Sequence, residues 1–154
     1  MTEQNADSDI FSLIYSSAAA DGCTSDDFRK IAEKASAYNR DAGLTGMLLA
    51  CEGLVMQFLE GPRTQVETLY EKIKRDPRHQ HLSVLSTRTL PEREFPNWNM
   101  GFCEVVSADD PDYIFKLTLQ TLNIKTPNDI SDLSAALIKS FARSSALERR
   151  SGLG

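Results

Sequence analysis

The chain has 154 residues, of which 41% are hydrophobic and 25% charged, and its formal net charge is −5. Those figures describe one globular domain able to bury a core of its own. The acidic balance excludes a general affinity for nucleic acid, which needs a basic face, but leaves room for a few local cations around one acidic cofactor.

The N-terminus, "MTEQNADSD", is polar and acidic, unlike a signal peptide, and residues 1–8 read as a loose tail. "IFSLIYSS" (10–17) is β-branched and aromatic enough for a strand. "TSDDFRKIAEKASAYNRDAG" then reads as a helix, with Thr24 or Ser25 as its cap, Asp26 and Asp27 at its positive end, and Gly43 as its stop. "GMLLAC" and "LVMQFL" are two strands joined through Glu52 and Gly53, a hairpin signal. "GPRTQVETLYEKIKRD" places Pro62 at a first-turn position and Val66, Leu69, Tyr70 and Ile73 on one side, which predicts a second amphipathic helix. "HLSVLSTRTL" and "NMGFCEVV" are two further strands. The order is β-α-β-β-α-β with one strand more, and the natural assembly is α+β, a ferredoxin-like sheet with both helices on one face.

Two more helices follow. Asp110-Pro111 opens one, carrying Ile114, Leu117 and Leu122. Thr126-Pro127 opens the other, with Ile130, Leu133, Leu137, Ile138 and Phe141 as its apolar stripe. In "GLVMQFLEG", Leu54, Met56 and Phe58 alternate with Val55 and Leu59, so both faces of that strand are apolar. The C-terminal helices are expected to cover the second face, and "LERRSGLG" to fray.

Three cysteines, Cys23, Cys51 and Cys103, are an odd count without tight spacing. That is neither a disulfide framework nor a zinc pattern, and it suits buried thiols in a reducing, cytoplasmic setting. No apolar run approaches the length of a membrane span.

A few residues are wrong for a core. Asn39 falls in the middle of the apolar stripe made by Ile31, Ala32, Ala35 and Ala42. A buried amide without partners costs on the order of 1–3 kcal/mol, so Asn39 either caps nearby backbone or bonds a ligand. Gln57 shares a strand face with Val55 and Leu59, and Tyr15 shares one with Phe11 and Leu13. The first and third strands of this topology are neighbours, so Tyr15 and Gln57 are candidates for contact, as a plain core pair or as part of a site. Trp98 and Met100 share parity at the start of the last strand, and core packing accounts for them by itself. In "KRDPRHQH" (74–81), Arg78 and His79 follow a helix end, where either a solvated charge run or a phosphate contact fits. His79 and His81 form a weak H-x-H metal pair with no third ligand at a suitable spacing. Phosphate loops, nucleophile elbows and dinucleotide fingerprints are absent.

Taken together, "LIYSS", "YNRDAGLTGMLL", "GLVMQFLEGP", "RDPRHQH" and "FPNWNMGF" resemble the BLUF domain, the flavin-binding sensor of blue light, across roughly residues 9 to 106. The resemblance implies FAD held between the two helices that pack on the sheet. It implies that Tyr15 is the photoactive tyrosine and Gln57 the switching glutamine, bridging Tyr15 and the ring edge. Asn39 would bond the carbonyl region of the ring. Arg78 and His79 would lie near the ribityl and phosphate part, with Asp76 beside them. Trp98 and Met100 would relay the change outward.

On this reading residues 1–8 are a tail, 9–106 the flavin-binding domain and 107–154 a helical extension. The protein is expected to be a light receptor and not an enzyme. Only helices follow residue 106, so its output is expected to pass to a separate protein or through a change of homo-oligomer. A cyclic-di-nucleotide phosphodiesterase or a transcriptional regulator would suit as partner. The competing readings are a small flavin-dependent oxidoreductase, which lacks a nicotinamide motif and an acid or base here, and a ferredoxin-like RNA binder, which would need exposed aromatics on a basic sheet face.

Overall fold

The computed structural model describes residues 9–51, 53–96, 98–104 and 131–141. The expected tail at 1–8, the helix opened by Asp110 and Pro111, the start of its successor at Thr126 and the fraying end lie outside the described residues. Within them the chain runs β1 (Ile10–Ala19), α1 (Ser25–Ala42), β2 (Thr45–Cys51), β3 (Leu54–Gly61), α2 (Arg63–Lys74), β4 (His79–Leu90) and β5 (Gly101–Glu104), with α3 over 132–141.

The strands form one sheet in the order β4-β1-β3-β2-β5, all neighbours antiparallel except β2 and β5. This is the expected α+β, ferredoxin-like arrangement with a fifth strand added at one edge. It sets β1 and β3 side by side, with Tyr15 opposite Gln57 in register. On its other side Gln57 faces Leu48 of β2.

Local chemistry sets the helix ends. The Asp27 carboxylate accepts the Thr24 N–H at 2.8 Å, closing the first turn of α1. Gly43 stops that helix at φ +73°, a left-handed conformation that glycine adopts without a Cβ penalty. α2 begins at Arg63, so Pro62 is its cap and not its first residue; its extended backbone leads the chain in from Gly61.

Two cores result, one on each face of the sheet. On the front, α1 and α2 pack Phe28, Ala32 and Val66 onto Leu13, Tyr15, Leu48, Val55 and Leu59. On the back, α3 lays Ile138 and Phe141 on Ile14, Met47, Leu49, Met56 and Phe58. The two-sided apolar pattern of β3 is thus used on both sides, and Cys51 and Cys103 lie buried in the back core. The stripe predicted for α3 is rotated. Leu133 is 38% exposed and Ser134 is fully buried in its place. The cause is polar. Ser134 Oγ donates to Glu94 at 3.0 Å, and Arg88 reaches Glu94 at 2.7 Å and Ser131 Oγ at 3.0 Å, which fixes the N-terminal turn of α3 with Ser134 inward.

β4 is two residues longer than expected. Its pairing with β1 shifts register between Ile14 and Tyr15 and again between Ser16 and Ala18. His81 takes φ +58° within the second irregularity, as a bulge allows.

Candidate functional site

Between α1, α2 and the front of the sheet lies a cavity of about 170 Å³. Ile31 and Ala35 of α1, Leu69 and Ile73 of α2, Phe28, and Leu48 of the sheet give it apolar walls. Into it come six polar side chains: Tyr15, Asn39, Gln57, Lys72, Asp76 and His79. A slot with apolar walls and a few placed polar groups suits a flat ring system with hydrogen-bonding edges.

Tyr15 and Gln57 are both buried, and the Tyr15 hydroxyl donates to Gln57 Oε1. The other end of the same amide, Nε2, donates to Met100 Sδ at 3.2 Å. An amide nitrogen has two hydrogens, so Gln57 keeps one for a ligand in the cavity. Burial pushes the Tyr15 phenol far above its ordinary value, and the nearby Tyr70 and Asp76 add to this. In its resting state Tyr15 is therefore a neutral donor.

Asn39 is fully buried near the end of α1. Its Nδ2 donates to the Asn99 carbonyl at 3.0 Å, which fixes the amide's orientation because a carbonyl only accepts. Its Oδ1 is left buried without a partner. Asn99 in turn donates its own amide to the Leu44 carbonyl at 3.1 Å. Of the two sequence readings, backbone capping accounts for one end of Asn39 and leaves a buried acceptor on a residue that lines the cavity.

The polar mouth is assembled at the end of α2. The Arg78 guanidinium grips both Asp76 oxygens at 2.5–3.1 Å, and the hydrogen bonds from Arg78 hold the Asp76 carboxyl below its usual range. Arg78 itself is exposed. His79 is turned inward. One ring nitrogen meets the Ile73 carbonyl at 2.9 Å and the other meets Ser17 Oγ at 3.0 Å. The carbonyl requires a proton on Nε2, so both ring nitrogens have protein partners and the ring offers the cavity its edge. His81 lines a separate, larger cavity on the back of the sheet, so the H-x-H pair does not converge.

Trp98 and Met100 do not share a face. Both precede β5, which starts at Gly101, so strand alternation does not apply to them. Trp98 packs on the back core and Met100 on the front, against Gln57. Gly46 makes the close crossing of this segment possible. Its N–H donates to the Trp98 carbonyl at 3.1 Å, and a Cβ there would meet Met100 Cε at 3.3 Å and the Phe58 carbonyl oxygen at 1.9 Å.

Lys72 was not singled out by sequence, where it is one lysine on an exposed helix face. It lines the cavity and lies 4.5 Å from the centroid of the Tyr38 ring, bridging α2 to α1 across the mouth. Glu60 carries the same sequence signal as Gln57, a polar side chain in an apolar strand, and is buried. Its oxygens accept the N–H groups of Glu94 and Phe95 at 2.9 and 2.6 Å, and burial pushes its carboxyl up.

Residues 10–101 match the model of the family described as sensors of blue light using FAD, BLUF. The beta subunit of photoactivated adenylate cyclase from Euglena gracilis is 35% identical over 95 residues, covering 61% of this chain and 11% of that protein. A related alpha-like subunit from the same organism is 43% identical over 70 residues, which is 46% of this chain and 7% of that one. The chain thus spans about a tenth of the length of these relatives. Among solved structures, the dark state of the BLUF protein BlrB superposes with a TM-score of 0.64 at 28% identity, covering 90% of this chain and 98% of that one. Klebsiella pneumoniae BlrP1, solved with FMN and cyclic diGMP, gives a TM-score of 0.71 at 26% identity, covering 87% of this chain and 34% of that one. The chain belongs to the BLUF family, the sensors of blue light using FAD.

Proposed function

We propose that Tyr15 and Gln57 are the photoactive pair of this sensor, that Asn39, Asp76, Arg78 and His79 hold its FAD, and that the signal leaves through Met100 and Trp98. The observation that carries this reading is the hydrogen-bond chain Tyr15–Gln57–Met100, whose first two members line a cavity also lined by Asn39, the residue with a partnerless buried Oδ1. That oxygen is an acceptor, so it suits the imide N–H of the flavin ring better than the carbonyls on either side of it. The residues present therefore fit the group.

When bound, the flavin supplies light absorption and, once excited, a strong one-electron oxidant. Tyr15 gives up an electron, and its phenol, with an ordinary pKa near 10, then becomes strongly acidic. Its proton enters the hydrogen bond to Gln57 Oε1. Gln57 is neutral and has a donor end and an acceptor end, so it can rotate or tautomerise and exchange its partners without creating a buried charge. Met100 Sδ holds the Nε2 end at rest. A rearranged amide releases or shifts Met100 and acts on the segment that carries Trp98 to the back of the sheet.

We further propose that residues 9–106 form the sensing domain, that the chain has no enzymatic activity of its own, and that it acts in the cytoplasm on a separate signalling protein as a homo-oligomer. Two of the relatives described above, the photoactivated adenylate cyclase of Euglena gracilis and BlrP1 solved with cyclic diGMP, support cyclic-nucleotide signalling as the output class. Among the described residues no helix is long and apolar enough to cross a membrane.

The test is the light-minus-dark spectrum of the FAD-loaded protein. A reversible red shift of the visible band is expected in the wild type. It should vanish in Tyr15→Phe and in Gln57→Leu, compared at matched flavin occupancy. A full reversible shift in Tyr15→Phe would refute the mechanism.

A further inference from the structure

Tyr15 has a second tyrosine beside it. The ring of Tyr70, on α2, lies 5.5 Å from the Tyr15 ring, centroid to centroid, and tilted by 53°. Rings at that separation are in contact. Tyr70 is half-buried and is absent from the cavity lining, whereas its helix neighbours Leu69 and Ile73 are part of it. Its ring contact toward the cavity is Tyr15. Among the described residues the other aromatic ring against Tyr15 is His79, whose nitrogens are both engaged.

The two phenols differ in where a proton can go. Tyr15 is 1% exposed, and its hydroxyl faces an amide oxygen, a very weak base. Tyr70 is only half-buried and so lies nearer to water, which can take its proton. An electron vacancy on Tyr15 is thus stabilised by moving outward to Tyr70, where loss of the electron and of the proton can occur together. The Lys74 ammonium lies 5.4 Å from the Tyr70 centroid. A cation there opposes loss of the electron alone, which ties it to loss of the proton.

We propose that Tyr70 is a second redox-active tyrosine that refills Tyr15 from the protein surface and gives this sensor a slower second photoreaction, the net reduction of its flavin by thiols in solution. This rests on the reading of Tyr15 as the primary electron donor. Tyr15 loses one electron to the excited ring. Tyr70 passes one electron to Tyr15 and one proton to water. A thiolate then gives one electron to the Tyr70 phenoxyl, which regains a proton. Two such events join two thiyl radicals into a disulfide and deliver two electrons, so that two thiols and oxidised flavin become one disulfide and dihydroflavin.

The test uses the full, FAD-loaded chain without oxygen, under continuous blue light with dithiothreitol and a nitrone spin trap. Three quantities are read: the yield of the reversible red shift, the rate of flavin bleaching, and the position of trap adducts by peptide mass spectrometry. Tyr70→Phe should keep the red shift and slow bleaching by about tenfold, a barrier rise of about 1.4 kcal/mol. The wild type should carry an adduct on Tyr70, and Tyr15→Phe should lose both that adduct and the red shift. Lys74→Gln, which removes the opposing cation, should bleach faster than the wild type. Wild-type bleaching in Tyr70→Phe overturns the proposal, as does a Tyr70 adduct that persists undiminished in Tyr15→Phe. A normal red shift in Tyr15→Phe instead overturns the underlying reading of Tyr15, and the two failures are thereby distinguished.

Discussion

Replacing Asn39 with Ala separates ligand binding from folding. In the protein without flavin, the substitution removes the bond from Nδ2 to the Asn99 carbonyl, 3.0 Å long, at a cost of about 1 kcal/mol. It also removes Oδ1, a buried acceptor with no partner, whose desolvation penalty is on the order of 1–3 kcal/mol. The two nearly cancel, and the apoprotein should stay within about 1 kcal/mol of wild type. With flavin bound the balance differs. The variant leaves a buried ring N–H without its acceptor, at about 1–3 kcal/mol, which is roughly 5- to 150-fold in Kd. Denaturant unfolding of the apoprotein and quenching of FAD fluorescence on titration measure the two quantities. An apoprotein destabilised by several kcal/mol with unchanged FAD affinity would show that Asn39 is a structural cap and that its free oxygen serves no ligand.

The double variant Tyr15→Phe/Gln57→Leu should show no red shift, like either single one, because both residues act in one step; the light-minus-dark spectrum at matched occupancy tests this. Phe141→Ala should destabilise the protein by about 3–5 kcal/mol, since that ring is buried against the back of the sheet, and removal of residues 126–154 should cause aggregation while the photochemistry persists; thermal unfolding and light scattering report each. Glu94 gives a pH dependence. Burial alone would raise its carboxyl, but the Ser131 N–H, Arg88 and Ser134 together outweigh burial and hold it below the ordinary value. A depressed folded-state value stabilises above the unfolded value, near 4.3 for Glu, and that stability is lost as pH falls through the folded one. Hydrogen exchange over 132–141 should accordingly accelerate on acidification below that range, and Glu94→Gln should remove the dependence.

Much of this site is legible in the sequence because its signals are local or costly. Thr24 and Gly43 bound α1 correctly since caps act within one turn. Asn39 and Gln57 stand out because a polar group on an apolar stripe needs a reason, and both line the cavity. What could not be read depends on distant partners. The facing of Trp98 and Met100 is set by the close crossing at Gly46, not by strand alternation. Ser134 replaces Leu133 inside because Glu94 and Arg88, some forty residues earlier, hold it there. The irregular pairing of β4 follows from its register on β1, which no single strand encodes. Lys72 looks like any surface lysine until two helices are placed side by side.

The segment between β4 and β5 joins the two faces of the sheet mechanically. At one end Glu94 binds the N-terminal turn of α3, and the N–H groups of Glu94 and Phe95 bind the buried Glu60 carboxylate. At the other end Met100 binds Gln57. Trp98 lies between them, in the back core with Ile138 and Phe141. Glu60 and Gln57 are three residues apart on β3, so the segment is fastened to one strand at two points, and one of these is the amide that light is proposed to rearrange. Glu60 accepts hydrogen bonds within a packed interior, and interiors at crystal-like density do not yield smoothly. A displacement that begins at Met100 is therefore resisted at Glu60 and falls on the residues between, which is where Trp98 meets the surface that α3 covers.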